Sequence, residues 1–157
     1  MCRGVLSRII RCMLETGSAP IDAERAFRRE ARARRRRAWM RRLRRFPAEC
    51  GRLAVFDERA LASTRAGRTA VAEIPLGSIQ GTLEPSRASQ FDGDFRPAPI
   101  ARPRWERVWM AERAGAPLPP ISVVAVGDGY AVRDGHHRVS VARARGALTI
   151  DAMVDRV

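Results

Sequence analysis

The chain has 157 residues, which suits one modest domain with an appendage. Thirty basic against seventeen acidic residues give a net charge of +13 and a pI near 11.6, and every basic residue is arginine. That balance favours acidic partners (nucleic acid, an anionic membrane surface or phosphorylated ligands). Cys2, Cys12 and Cys50 are widely spaced and the two histidines are neighbours, so neither a zinc nor a haem site is expected. An odd thiol count fits a reducing cytoplasm, and no apolar run approaches the length of a membrane span.

Residues 1 to 16 place Val5, Leu6, Ile9, Ile10, Met13 and Leu14 at helical spacing, as in an amphipathic helix packed on the rest of the chain. Arg8 and Arg11 interrupt what would be a signal-peptide core. Met13 and Met40 are alternative starts. Gly17 to Pro20 is a break, and Asp22 then caps an expected helix from Ala23 to Arg45, stopped by Pro47. Residues 22 to 46 carry twelve arginines against three acids, a net charge of +9. Arg34, Arg35, Arg36 and Arg37 encircle one turn and, with Arg41, are candidate contacts to nucleic-acid phosphates. The competing reading is a solvated arm, since like charges four residues apart repel. Trp39, Leu43 and Phe46 form a short apolar stripe.

Residues 1 to 47 are thus read as a helical arginine-rich arm, 48 to 72 as a connector and 73 to 157 as the folded domain. Within the connector, Leu53 to Phe56 has strand character, Glu58 to Ala62 makes one helical turn, and Gly67 to Val71 is linker. Ile74, Leu76 and Ile79 indicate a strand and a bend. Glu84 to Arg104 holds four prolines, a long loop of the kind that is functional or mobile. Pro103 opens a helix with Trp105, Val108 and Trp109 on one face, and Gly115 closes it. Both tryptophans are expected in the core. Ile121 to Val126 and Tyr130 to Val132 are strands joined by the turn Gly127-Asp128-Gly129, and Thr149 to Val154 is a closing strand. The expected fold class is α+β: a small mixed β-sheet with packed helices, preceded by the arginine-rich helical arm.

Asp134-Gly135-His136-His137-Arg138 is the stretch with chemistry in it. A helix starting near His137 leaves backbone N–H groups free around Gly135 to Arg138, where the helix dipole also favours an anion. Arg138 has the fork geometry for a phosphate, and His136 has the pKa for an acid or base. Three plainer alternatives stand beside this: Asp134 as a helix cap, Asp134-Gly135 as a hairpin turn, and His136 and His137 as ordinary surface residues.

Asp134-Gly135-His136-His137-Arg138, followed by the small and apolar residues up to Gly146, resembles the signature loop and helix of the ParB/sulfiredoxin-like superfamily. Glu73 to Ile79, with Pro85-Ser86-Arg87 and Phe91-Asp92 after it, resembles the opening strand and loop of ParB amino-terminal domains, and Pro120 to Val123 their next strand. The likeness covers about residues 73 to 157. It implies a bound nucleoside triphosphate, CTP or ATP, with Mg²⁺. Gly135, His136, His137 and Arg138 would hold the phosphates, Arg87 would be a second phosphate contact, and Asp134 a Mg²⁺ ligand. His136 follows the glycine where sulfiredoxins carry a reactive cysteine, so a sulfiredoxin-type reductase is not expected. The loop departs from the G-E-R-R of ParB and matches the D-G-H-x-R of the superfamily's free-serine kinases, whose upstream glutamate falls at Glu84. His136 and Glu84 are therefore the candidate bases for hydrolysis or phosphoryl transfer. Coupling to DNA, as in partitioning proteins, also follows from the resemblance; a homodimer is a separate expectation that no residue here specifies. The alternative is a non-enzymatic nucleic-acid-binding accessory protein acting through the arm.

Overall fold

The computed structural model describes residues 16–47, 51–62 and 69–155. The amphipathic segment expected over residues 1 to 16 lies outside them, Thr16 excepted, as do all three cysteines. Six strands form one mixed sheet: β1 (Ala54–Val55), β2 (Thr69–Pro75), β3 (Ile79–Thr82), β4 (Ile121–Val126), β5 (Gly129–Asp134) and β6 (Thr149–Asp155). Their spatial order is β1-β3-β5-β4-β6-β2. β1, β3 and β5 run parallel, as do β4 and β6; the β4–β5 and β2–β6 pairs are antiparallel. The helices are α1 (Ala19–Leu43), α2 (Glu58–Ala62), α3 (Arg87–Gln90), α4 (Arg102–Arg113) and α5 (His136–Ala144). The α+β expectation therefore holds, with a mixed sheet and helices packed on it.

The central strands are the most apolar, as strands covered on both faces must be. Ile121, Val123, Val124, Ala131 and Val132 are all buried. The expected turn is present: Val126 pairs with Gly129, and Gly127 takes φ +58°. β2 is an edge strand, exposed except at Ile74, and Pro75 ends it where a missing N–H costs nothing. One expectation needs correcting here. Thr69 to Val71 are not linker; they already pair with β6, because Asp155 and its neighbours extend that ladder by the same number of residues. Segment 48 to 72 also supplies β1, on the opposite edge of the same sheet.

α4 forms as expected, with Pro103 in its first turn and Gly115 beyond its end at φ +70°. Trp105 and Trp109 are core residues. The Trp105 indole N–H donates to Ser140 Oγ at 2.8 Å, tying α4 to α5. Ser140→Ala would strand that buried donor and is expected to cost about 1–3 kcal/mol, read as a lower urea midpoint with an unchanged slope.

α1 starts earlier than expected. Ser18 takes the N-cap position and Pro20 fits the first turn, so Asp22 is not the cap. Its buried carboxylate instead accepts from the Thr16 N–H at 3.0 Å and hydroxyl at 2.9 Å, and pairs with Arg113 of α4. These contacts, the Thr16 N–H foremost, hold the Asp22 carboxyl below its usual range. Ala23, Ala26, Phe27 and Ala31 face the core, where Phe27 meets Trp105 edge-on at 5.6 Å. The first half of the helix is thus built into the domain, while Trp39 and Leu43 in its second half and Phe46 just beyond its end are exposed.

Candidate functional site

β3 and β5 are parallel neighbours that end on the same edge of the sheet. In open sheets with parallel strands, ligands collect beyond these carboxyl ends, where loops and helix starts gather. Here β3 leads into Glu84 and α3, and β5 leads through Gly135 straight into α5. The chain passes from strand to helix, so the hairpin alternative at Asp134-Gly135 is excluded.

Gly135 makes that passage possible. It is the N-cap of α5 at φ +102°, a left-handed conformation that L side chains rarely adopt. A Cβ there would lie 2.4 Å from Ile121 Cγ2. The Gly135 carbonyl accepts from the Val139 N–H at 3.0 Å, the first full turn of the helix. The N–H groups at the start of α5 have no carbonyl behind them in the helix, and no side chain caps them.

Asp134 is not that cap either. Its exposed carboxylate accepts from Arg138 Nη2 at 2.7 Å, an i, i+4 ion pair. The Arg138 Nη1 also donates to the carbonyls of Pro119 and Pro120. Arg138 therefore braces the start of α5 against the entry to β4, with its guanidinium largely covered.

His136 and His137 are buried rather than surface residues, 3% and 7% exposed, and His136 packs against the rings of both Phe91 and Phe95, each centroid 6.3 Å away. Its Nε2 hydrogen-bonds to Thr82 Oγ1 at 2.7 Å, which in turn accepts from the Glu84 N–H at 2.9 Å. His137 packs edge-on against Phe91 at 5.1 Å. Burial, then the charge of Arg87, pushes His136 down to about 4. Burial, then Arg104 and Arg87, does the same to His137. Both imidazoles are neutral at pH 7. Thr82→Val would leave His136 Nε2 facing a methyl group, an expected loss of about 1–3 kcal/mol, measurable by thermal unfolding at constant ligand-free conditions.

The loop from Glu84 to Arg104 is folded inward. Phe91, Phe95 and Pro97 are fully buried. Asp92 organises the turn: its Oδ1 accepts from the N–H groups of Asp94 at 3.0 Å and Arg96 at 2.8 Å. Phe95 accepts a positive φ of 59° to reach the histidine.

The structure brings Asp134, Gly135, His136, His137, Arg138, Glu84 and Arg87 to one edge of the sheet. Glu84 keeps an exposed carboxylate that accepts from Ser86 Oγ at 3.0 Å. Arg104 and Arg107 of α4 join them electrostatically, both acting on His137 and Arg104 on Arg138. Sequence reading missed these two and Thr82. Arg104 and Arg107 sit a turn apart on a helix whose crossing angle no local pattern reveals, and a lone threonine gives no signal.

The arm residues divide. Arg34 donates to the carbonyls of Gln90 at 3.4 Å and Ser89 at 3.5 Å, and Arg37 pairs with Asp94. Arg41 lies against Gly51. Arg35 and Arg36 face outward. A separate hollow of about 320 Å³ touches Arg138, but Glu73, Glu112 and Asp151 also line it, so its sign suits no phosphate. Burial raises the Glu112 carboxyl.

Fold and site together define an α+β protein with a mixed six-stranded sheet and a glycine-led helix start at the end of a parallel strand pair. The crystal structure of sulfiredoxin from Arabidopsis thaliana aligns with 56% of this chain and 86% of its own, at 20% identity and a TM-score of 0.42. No family model matches the chain, and no curated protein matches it in sequence. Among the described residues, no helix is long and apolar enough to cross a membrane.

Proposed function

We propose that this protein binds a nucleoside triphosphate, CTP or ATP, with its phosphates at the amino end of α5. One observation carries the reading: uncapped amides follow a left-handed Gly135 at the carboxyl edge of a parallel strand pair, with Arg87, Arg104 and Arg107 around them. Amides and dipole together favour an anion at such a helix start, and the three guanidiniums add unit charges at short range. Arg138 then serves chiefly by holding the loop rather than by clamping phosphate, since Asp134 and two carbonyls already occupy three of its five donors. Asp134 keeps its Oδ1 for a Mg²⁺ that the phosphates carry in. For a transfer step Glu84 is the better-placed base. Its carboxylate is exposed, whereas His136 Nε2 is committed to Thr82 inside the protein.

The test is a melting assay with a panel of nucleotides and Mg²⁺. At a ligand concentration a hundred times Kd, the stabilisation expected is about 2.7 kcal/mol. Arg104→Ala and Arg87→Ala lie on exposed or half-exposed side chains, so they should leave the ligand-free midpoint nearly unchanged and shrink the nucleotide response. A flat response to every triphosphate would sink the reading.

A further inference from the structure

The outward face of α1 carries a pattern that nucleotide binding does not use. Ile21 and Trp39 are eighteen residues apart, five full turns, so they share one azimuth about 27 Å apart. Between them on the same side lie Arg25, Arg28, Arg32, Arg35 and Arg36, and Leu43 extends the line by one turn. Arg25, Arg28, Arg32 and Arg36 line a shallow hollow of about 510 Å³. Arg25, Arg32, Arg35 and Arg36 are exposed and pair with no carboxylate among the described residues. At the far end Trp39, Leu43 and Phe46 are 59%, 59% and 53% exposed, and Ile21 at the near end is 46% exposed. The inward face is already spent on Ala23, Ala26, Phe27 and Ala31.

We propose that this face lies flat on an anionic lipid surface. Its arginines would sit among headgroup phosphates, while Ile21 and the Trp39–Leu43–Phe46 end dip below them. The chemistry of both halves fits. Guanidiniums pair with phosphate oxygens. Tryptophan prefers the boundary between headgroup and hydrocarbon, and a helix lying in that plane needs apolar side chains to sink. A nucleic-acid duplex would satisfy the arginines but offers no hydrocarbon to Leu43 and Ile21. A second copy of the chain would cover the apolar end only by setting two arginine rows against each other, which repel.

The experiment is sedimentation of the full chain with phosphatidylcholine vesicles, with and without phosphatidylglycerol, at low and high salt. Bromine-labelled lipid reports on depth. Trp105 and Trp109 are buried, so quenching reads Trp39. Expected are binding to the anionic vesicles alone, weakening with salt, and quenching that disappears in Trp39→Phe. The double variant Trp39→Ser/Leu43→Ser should lower the partition coefficient at least about tenfold, since affinity scales with buried apolar area. Both side chains are solvent-exposed, so circular dichroism should match the parent. Three outcomes overturn the proposal: equal binding to both vesicle types, unquenched tryptophan on bound protein, or duplex DNA binding with none to anionic vesicles.

Discussion

Gly135→Ala is expected to be strongly destabilising although it adds only one methyl group. Two separate costs meet there. At φ +102° the new residue sits in a backbone region that costs a side chain about 1–3 kcal/mol. The added Cβ also falls 2.4 Å from Cγ2 and 2.8 Å from Cβ of Ile121, a fully buried residue, and 3.1 Å from Arg138 Nη2. Overpacking of that kind costs about a further 1–3 kcal/mol. The sum, about 2–6 kcal/mol, is a large share of a small domain's stability. Urea unfolding with the Ile121→Ala partner separates the two parts. Ile121→Ala alone should cost about 2–5 kcal/mol through its cavity. In the double variant the alanine methyl gains room, so the loss should be smaller than the sum of the singles, while the backbone cost persists. Strict additivity would mean that the clash is not what Gly135 avoids.

The residues that made the site legible are those whose meaning is local. The turn at Gly127, the strand on either side of it, Gly135 and the helix beyond can each be read from five or six neighbours, and all appear where expected. The tryptophan face of α4 was legible for the same reason. Long-range features were not. β3 meets β5 across some fifty residues, and the partner that holds His136, Thr82, lies on that distant strand. The arginine helix was readable as a helix but not as a packed one, because its inner face is built from Ala23, Ala26 and Ala31 with a single large residue, Phe27. Alanines among arginines give no apolar stripe to detect. Likewise Arg34, Arg35, Arg36 and Arg37 look equivalent in sequence, yet 100° steps around the axis send the first and last to carbonyls and Asp94 and the middle two to solvent.

The two buried histidines should make stability fall steeply with acid well above the usual carboxylate range. In the folded chain both titrate near 4; in the unfolded chain they return to about 6.5. Above pH 6.5 both are neutral in either state and contribute no slope. Between 6.5 and 4 the unfolded chain binds protons that the folded chain refuses, so the free energy of unfolding drops as pH falls. Each histidine supplies up to about 1.4 kcal/mol per pH unit across that window. Asp22 pushes in the same direction, but its carboxyl starts from 3.8 and moves lower, so its window lies below theirs. Urea melts at pH 7, 6 and 5 measure the slope. His136→Asn and His137→Gln should each remove one proton's share of it, whatever they do to stability at pH 7. The same slope bears on the ligand. An anion seated among the α5 amides lies beside both rings and favours their charged forms, which lifts their folded pKa values toward 6.5. Saturating triphosphate should therefore flatten the acid limb in the parent and leave it unchanged in a variant that no longer binds. A limb equally steep with and without nucleotide would place the anion away from the histidines.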